Sequence, residues 1–435
     1  MKTVSTFIFL SVIFLPVSIC QNLYFPPLEG EAWETTDPAD LNWCPEKVDS
    51  LLQFVGEQNS KSFIVLKDGK IVLEKYYDTF TQDSLWYWAS AGKSLMGTMI
   101  GMAQADGYLD IEEPTANYLG EGWTNCSLED EAQIKIRHQI SMATGLDDSV
   151  EETGSTNNCF EPECFECLAS PETRWAYHNS AYRIVQDVME IATGLDKTIY
   201  TRTRLGNRIG MKGLWFNYVY YSTGRDMARF GLFTLARGVW NGDPVFADSS
   251  YYDQMLNSSQ EVNLSYGYLW WLNGKDSYML PGLQLTLPGK MLPEAPDDMV
   301  AALGKNDQKI YVVPSMNMVV VRQGNSAGGA SPAASSFDNQ LWSRLMDMEC
   351  LTDIAEPRKG EPVRISPNPT RDLLQVQAPR EIRKMELFAL TGRRVHAWQG
   401  NARQVQLEIV HLPRGTYLLR IETEQRIVTR KVLVH

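Results

Sequence analysis

At 435 residues the chain exceeds the usual size of one domain, and its 44% hydrophobic and 21% charged residues are those of a globular protein, not a disordered one. The formal charge of −13 is unevenly spread: residues 365–435 hold 12 Lys+Arg and 6 Asp+Glu, a balance of +6, which leaves 28 minus 47, or −19, on the first 364. An acidic body argues against nucleic acid as a partner, and the asymmetry points to two separately built units.

In chain order, Lys2 and the apolar run "FIFLSVIFLPV" lead to Ser18 and Cys20, small residues at the minus three and minus one positions of a cleavage site. Residues 1–20 therefore read as an export signal and not as a membrane span. Cys20 as a lipid acceptor is the competing reading, and bulky Ile19 before it speaks against that. No later segment is long and apolar enough to cross a bilayer. Cleavage leaves six cysteines, Cys44, Cys126, Cys159, Cys164, Cys167 and Cys350. An even number in an exported chain points to disulfides. The C-x4-C-x2-C cluster at 159–167 is also open to a zinc reading, but its spacing fits no standard ligand pattern, and no metal site is expected.

A helical stretch, "PEKVDSLLQFVGEQ", precedes residues 62–77, "SFIVLKDGKIVLEKYY", two apolar runs around Asp68-Gly69 that predict a hairpin. About two hundred residues of mostly helical periodicity follow. Then "DDMVAALGKNDQKIYVVPSMNMVVVRQG" supplies three more strands, with Pro314 and Asn317 at the last turn. The pattern predicts an α+β architecture: one antiparallel sheet assembled from both ends of this region, flanked by helices, with a helical block inserted. Pairing of Cys44 with Cys350 is expected because the helices next to them should be neighbours. Residues 351–364, "LTDIAEPRKGEPVR", read as a linker. Beyond it, "LLQVQ", "MELFAL", "VQLEIV", "TYLLRIE" and "VTRKVLVH" predict a small all-β sandwich over 365–435.

The chemistry concentrates in "WASAGKSLMGTMIGMAQADG", residues 88–107. Apolar residues repeat at helical spacing from Leu95, and Gly107 is a C-cap signal, so a buried helix begins at or near Ser90. Positions i and i+3 share a face, which places the Lys93 amine beside the Ser90 hydroxyl. A hydroxyl needs a neighbouring base to become a nucleophile, and a helix N-terminus favours a developing oxyanion. Taken alone, the segment is read more simply as a serine cap followed by a solvated lysine. A second segment, "TRWAYHNSAYRIV" at 173–185, puts Tyr177 and Asn179 just before another helix. A tyrosine beside an ammonium group can serve as a general base, and an asparagine side chain can orient an amide or ester.

In this order and between these strand groups, the elements resemble the serine beta-lactamase and penicillin-binding protein superfamily. The nearest likeness is its class C branch, which also contains esterases, D-aminopeptidases and nylon-oligomer hydrolases. The likeness spans about residues 40–345 and includes "ADGYLDIEEPTANYL", "IRHQISMATGL", "DMARFGLFTLARGVWNG" and "QKIYVVPSMNMVVV". It implies that Ser90 is the acylated nucleophile, Lys93 its proton partner, Tyr177 the shared acid/base and Asn179 a substrate-binding residue. The family's third motif falls at Ala302-Leu303-Gly304, where Gly304 allows close backbone approach and the Lys305 N–H joins that of Ser90 in an oxyanion hole. Ala302 stands where the family usually carries a cation, which weakens a beta-lactamase or D-Ala-D-Ala peptidase reading. Trp86, Trp88, Trp175, Trp270 and Trp271 are candidates for an apolar cleft, with an ordinary core role as the simpler expectation. None of the five histidines falls in a motif, so a triad through His138 or His178 is not expected.

"ISPNPTRDLLQV", Gly392-Arg393, "LPRGTYLLRI" and the terminal "RKVLVH" resemble the sorting domain of type IX secretion in Bacteroidota. That implies passage through the periplasm of a Gram-negative cell to its surface or surroundings, with the secretion machinery as a partner. The expected protein is an exported serine hydrolase of a small-molecule or peptide-like ester or amide, without a cofactor. A non-catalytic binding protein on the same fold is the rival reading, and the sequence fixes neither substrate nor oligomeric state.

Overall fold

The computed structural model describes residues 23–149, 159–328, 334–350, 363–389, 392–423 and 427–435, and the chain divides into two units at Glu349/Cys350. The leader and all but the last two linker residues lie outside the described residues.

In the first unit α1 (Pro45–Glu57) opens with a proline in its first turn, where the missing N–H costs no helical bond, and turns Val48, Leu51, Phe54 and Val55 inward. β1 (Ser60–Lys67) and β2 (Lys70–Tyr76) form the expected hairpin. Asp68 and Gly69 close it at φ 52° and 83°. The insert contains α2 (Gly92–Ala105), α3 (Asn179–Thr193) and α4 (Gly224–Leu235). The chain then returns to the sheet with β3 (Trp271–Leu272), β4 (Val300–Gly304), β5 (Gln308–Val313) and β6 (Met318–Gly324), followed by α5 (Ser336–Met346). Strand order is β2-β1-β6-β5-β4-β3, antiparallel at every pairing, so the sheet is built from both ends of the unit as expected.

Both faces of the sheet are covered, which is why β4 and β5 are buried along their whole length and do not alternate with polar residues. Alternation sends Ala302, Gly304 and Ile310 to the side where α4 packs on β5 and β6. Tyr311, Lys309 and Arg322 point the other way, toward α1 and α5, where Tyr311 meets Trp342 edge-on at 5.5 Å and Phe54 stacks on Phe337 at 5.8 Å. Lys309 is inaccessible there and pairs with Asp338 at 2.9 Å and Asp307 at 3.3 Å. The insert is less purely helical than its periodicity predicts, because Trp86–Tyr87, Gly213–Phe216 and Val219–Ser222 form a small side sheet. Its strands are too short to leave a period-2 signal.

The second unit is all-β, with β7 (Arg364–Ser366), β8 (Leu373–Ala389), β9 (Arg394–Glu408), β10 (Gly415–Thr423) and β11 (Ile427–Val434). "LLQVQ" and the start of "MELFAL" are one strand and not two. β8 changes register between Gln377 and Ile382, so its first half pairs with β7, its second with β10, and β9 follows both. The sheet closes on one core that includes Leu374, Ile382, Leu387, Leu419 and Val432.

Cys126–Cys167 and Cys159–Cys164 are disulfides, and Cys44 and Cys350 are disulfide-bonded as well. Among the described residues, no group of three or more His, Cys, Asp or Glu is placed to hold a metal, and no helix is long and apolar enough to cross a membrane.

Candidate active site

Ser90 lies in a 3-10 turn, Ala89–Ala91, that runs directly into α2 at Gly92. The α-helix thus starts two residues later than expected, and Ser90 sits in its lead-in turn instead of capping it. Every residue from Gly92 to Ala103 is buried, so the core holds the turn from behind. Ala89, just before the serine, has φ 48°, a left-handed conformation that costs a non-glycine residue about 1 kcal/mol. Such strain persists only where the surroundings over-determine it.

Lys93 is 4% exposed and donates from Nζ to Ser90 Oγ at 3.0 Å and to Asn179 Oδ1 at 2.8 Å. The same amine stands over the Tyr177 ring, 4.8 Å from its centroid, and over the Tyr182 ring at 4.4 Å. One nitrogen therefore joins two sequence motifs that are 86 positions apart. α3 supplies the second motif at its N-terminus. His178 caps it, its Nδ1 accepting from the Ala181 N–H at 3.3 Å, so the histidine holds Tyr177 and Asn179 in place on either side. His138 also caps a helix start, accepting from the Lys135 N–H at 3.1 Å, and burial with the Arg137 and Lys135 charges pushes its pKa down to about 4.

An aromatic box surrounds Tyr177, made by Trp175 and Trp271, which the sequence offered as cleft candidates, and by Tyr266, which it did not single out. The ring stacks on Trp271 at 5.9 Å, and Tyr266 meets it edge-on at 6.3 Å. Burial pushes the Tyr182 and Tyr266 phenols well above their ordinary range, with the neighbouring Tyr177 adding to both. Neither is a base near neutral pH. Trp88, Trp175, Trp270 and Trp271 are at most 2% exposed, and Trp175 and Trp271 pack against the Tyr177 ring. Trp86 alone of the five is half-buried.

The third motif reaches the same place from the sheet. A Cβ at Gly304 would stand 2.5 Å from the Trp88 carbonyl oxygen and 2.9 Å from the Ala91 nitrogen, so the end of β4 lies against the serine turn. Ala302 is fully buried among apolar neighbours, and the Lys305 side chain is exposed. The structure thus brings Ser90, Lys93, Tyr177 and Asn179 together, with the Gly304 backbone beside them.

A sheet flanked by helices, with a Ser-x-x-Lys turn leading its buried helix, defines the beta-lactamase/transpeptidase class of fold. Residues 56–341 match the Beta-lactamase family model, and the chain belongs to that family. Residues 364–435 match the family model of the secretion system C-terminal sorting domain, a type IX tail that implies secretion to the cell surface or beyond. A curated relative, an uncharacterized protein of Alkalihalophilus pseudofirmus, is 23% identical over 309 residues, 61% of this chain and 84% of the relative. Among solved structures, a Bacillus anthracis protein proposed to be a 6-aminohexanoate-dimer hydrolase superposes with TM-score 0.56 at 16% identity, over 75% of this chain and 89% of its own. A penicillin-binding protein homologue from Caulobacter crescentus gives 0.55 at 11% identity, over 70% and 98%. At these identities the superpositions show the fold alone.

Proposed function

We propose that the chain is an exported serine hydrolase that forms an acyl-enzyme on Ser90 and releases it to water. The observation that carries this reading is the single Lys93 amine held between Ser90 Oγ and Asn179 Oδ1 and above the Tyr177 ring. Ser90 Oγ attacks the carbonyl carbon of an ester or amide while its proton passes to the Lys93–Tyr177 pair. The backbone N–H groups of Ser90 and Lys305 receive the oxyanion, and Asn179 orients the substrate. The same pair returns the proton to the departing alcohol or amine. Water then attacks the acyl-enzyme by the reverse sequence and frees the acid and Ser90.

Ala302 favours a substrate without a carboxylate at that position, since the third motif there offers no cation but a buried methyl group. An esterase or amidase therefore ranks above a beta-lactamase. In this reading residues 1–20 are removed on export, 21–350 form the hydrolase, and 365–435 address it through the periplasm to the type IX machinery. Intact-mass spectrometry of wild type and Ser90→Ala, after a fluorophosphonate, a penicillin and a p-nitrophenyl ester, tests the reading. One adduct on Ser90, absent from the variant, is expected, with turnover of the ester. A folded wild type that takes up no reagent would leave a binding protein instead.

A further inference from the structure

Two short segments carry the two oxyanion donors of this reading, and a hydrogen bond links them. Tyr87 lies three residues before Ser90, and Asn306 follows Lys305. The Asn306 side-chain Nδ2 donates to Tyr87 Oη at 2.7 Å across 219 positions of sequence. We propose that the Tyr87–Asn306 bond is a positioning clamp that fixes the spacing of the Ser90 and Lys305 N–H groups. The proposal rests on the acyl-enzyme reading above.

Both segments have backbone that needs holding. Ala89 has φ 48°, and Asn306 and Asp307 have φ 61° and 60°, left-handed conformations at three non-glycine residues. Each segment is braced from its own side. Arg322 Nη1 donates to the Asn306 and Asp307 carbonyls at 3.2 and 2.8 Å, and Gln308 Nε2 to the Asn306 carbonyl at 2.8 Å. The Asp307 carboxylate accepts from the Ala327 N–H and Ser335 Oγ at 2.9 and 2.8 Å. On the serine side, the Trp88 N–H donates to the Tyr220 carbonyl and its indole to Ser222 Oγ, both at 2.8 Å. Two braced bodies thus meet beside the nucleophile. Gly304 touches the Trp88–Ala91 backbone, Trp86 Nε1 reaches the Gly324 carbonyl at a long 3.3 Å, and Tyr87–Asn306 is the short polar tie. An oxyanion hole works only while both donors keep their places to within a fraction of an ångström, so a tie across it acts on catalysis more than on stability. Tyr87 and Asn306 are half-buried, and water can satisfy either one once its partner is gone.

The test compares wild type with Tyr87→Phe, Asn306→Gly, Asn306→Asp and the Tyr87→Phe/Asn306→Gly double variant. It measures the fluorophosphonate rate constant at Ser90, kcat and KM on the ester that turns over, and thermal unfolding. Tyr87→Phe and Asn306→Gly should each lower kcat and the labelling rate about tenfold with little change in KM. The double variant should be no worse than either single. Asn306→Gly suits a left-handed position better than asparagine, so its Tm should equal or exceed wild type while its activity falls. Asn306→Asp, able to accept from the Tyr87 hydroxyl, should keep most of the rate. Wild-type rates in Tyr87→Phe and Asn306→Gly, or losses that follow Tm, would overturn the clamp and leave the acyl-enzyme reading intact. No adduct on wild-type Ser90 would sink both.

Discussion

Replacing Gly304 with alanine adds one methyl group at the contact between the sheet and the serine turn. The backbone there lies outside the left-handed region, so alanine meets no conformational penalty and only the contact matters. The new Cβ would stand 2.5 Å from the Trp88 oxygen and 2.9 Å from the Ala91 nitrogen, both main-chain atoms that cannot swing aside. Ordinary contact begins near 3.4 Å, so relief needs a shift of about 0.9 Å (3.4 minus 2.5) between strand end and turn. A displacement of about 1 Å in a reacting group costs about a hundredfold in rate. Overpacking of this kind costs about 1–3 kcal/mol, or roughly 1–4 °C in Tm for a unit of this size. The assay is the time course of fluorophosphonate labelling at Ser90, read with a thermal melt to show that the variant is folded. A rate down about a hundredfold in a folded protein is expected. A folded Gly304→Ala that labels within about threefold of wild type would refute the argument that this strand end sets the geometry of the serine turn.

Other consequences follow from burial and linkage. Lys309→Met removes the buried ammonium that faces Asp338 and Asp307 beneath α5, leaving the two carboxylates only their hydrogen bonds and the Arg322 charge, and should cost about 3–5 kcal/mol in urea unfolding; a loss below about 1 kcal/mol would mean that water reaches the pair. The buried, neutral His138 predicts acid sensitivity. Its pKa of about 4 in the folded state lies below the ordinary 6.5, so between those values the unfolded chain binds the proton and the folded one does not. Stability should be whole above pH 6.5 and fall by up to about 3 kcal/mol as pH drops toward 4, a slope that His138→Gln should flatten. Cys126 and Cys167 close a loop across 41 positions, so replacing both with alanine should cost up to about 4 kcal/mol by the chain-entropy argument, measurable in denaturant.

The parts of the site legible in sequence are those carried by short local patterns. Ser90 and Lys93 share a helix face by spacing alone, and Tyr177-x-Asn179 announces itself before a helix start. What joins the two motifs is a tertiary contact, Lys93 to Asn179, and spacing within either motif does not contain it. Tyr182 and Trp271 were equally invisible as neighbours of Lys93 and Tyr177, because an aromatic at helical or strand spacing looks the same in a core as in a site. The left-handed Ala89 has no residue signature, since alanine is not a residue that favours that conformation. The sheet was readable because buried strands are continuous apolar runs bounded by turns. In the second unit, however, two runs separated by "APREIRK" suggested a loop where the strand bends at bulges and continues.

The assembly of the main sheet also sets the order in which the chain can fold. β1 and β6 lie side by side inside the sheet, and Ser62 pairs with Gln323, 261 positions later. Contacts of such long range close late, because the entropy of the intervening chain must be given up before they form. The serine turn belongs to the early part of the chain and the strand behind it to the late part. A chain drawn out from its N-terminus therefore carries Ser90, Lys93 and Asn179 long before it has Gly304 to set against them, and its apolar β1, paired with β2 on one side, waits for β6 on the other meanwhile. On the proposed acyl-enzyme reading, activity at this site begins only when the final strands of the unit arrive, so an incompletely folded chain would be an inactive one.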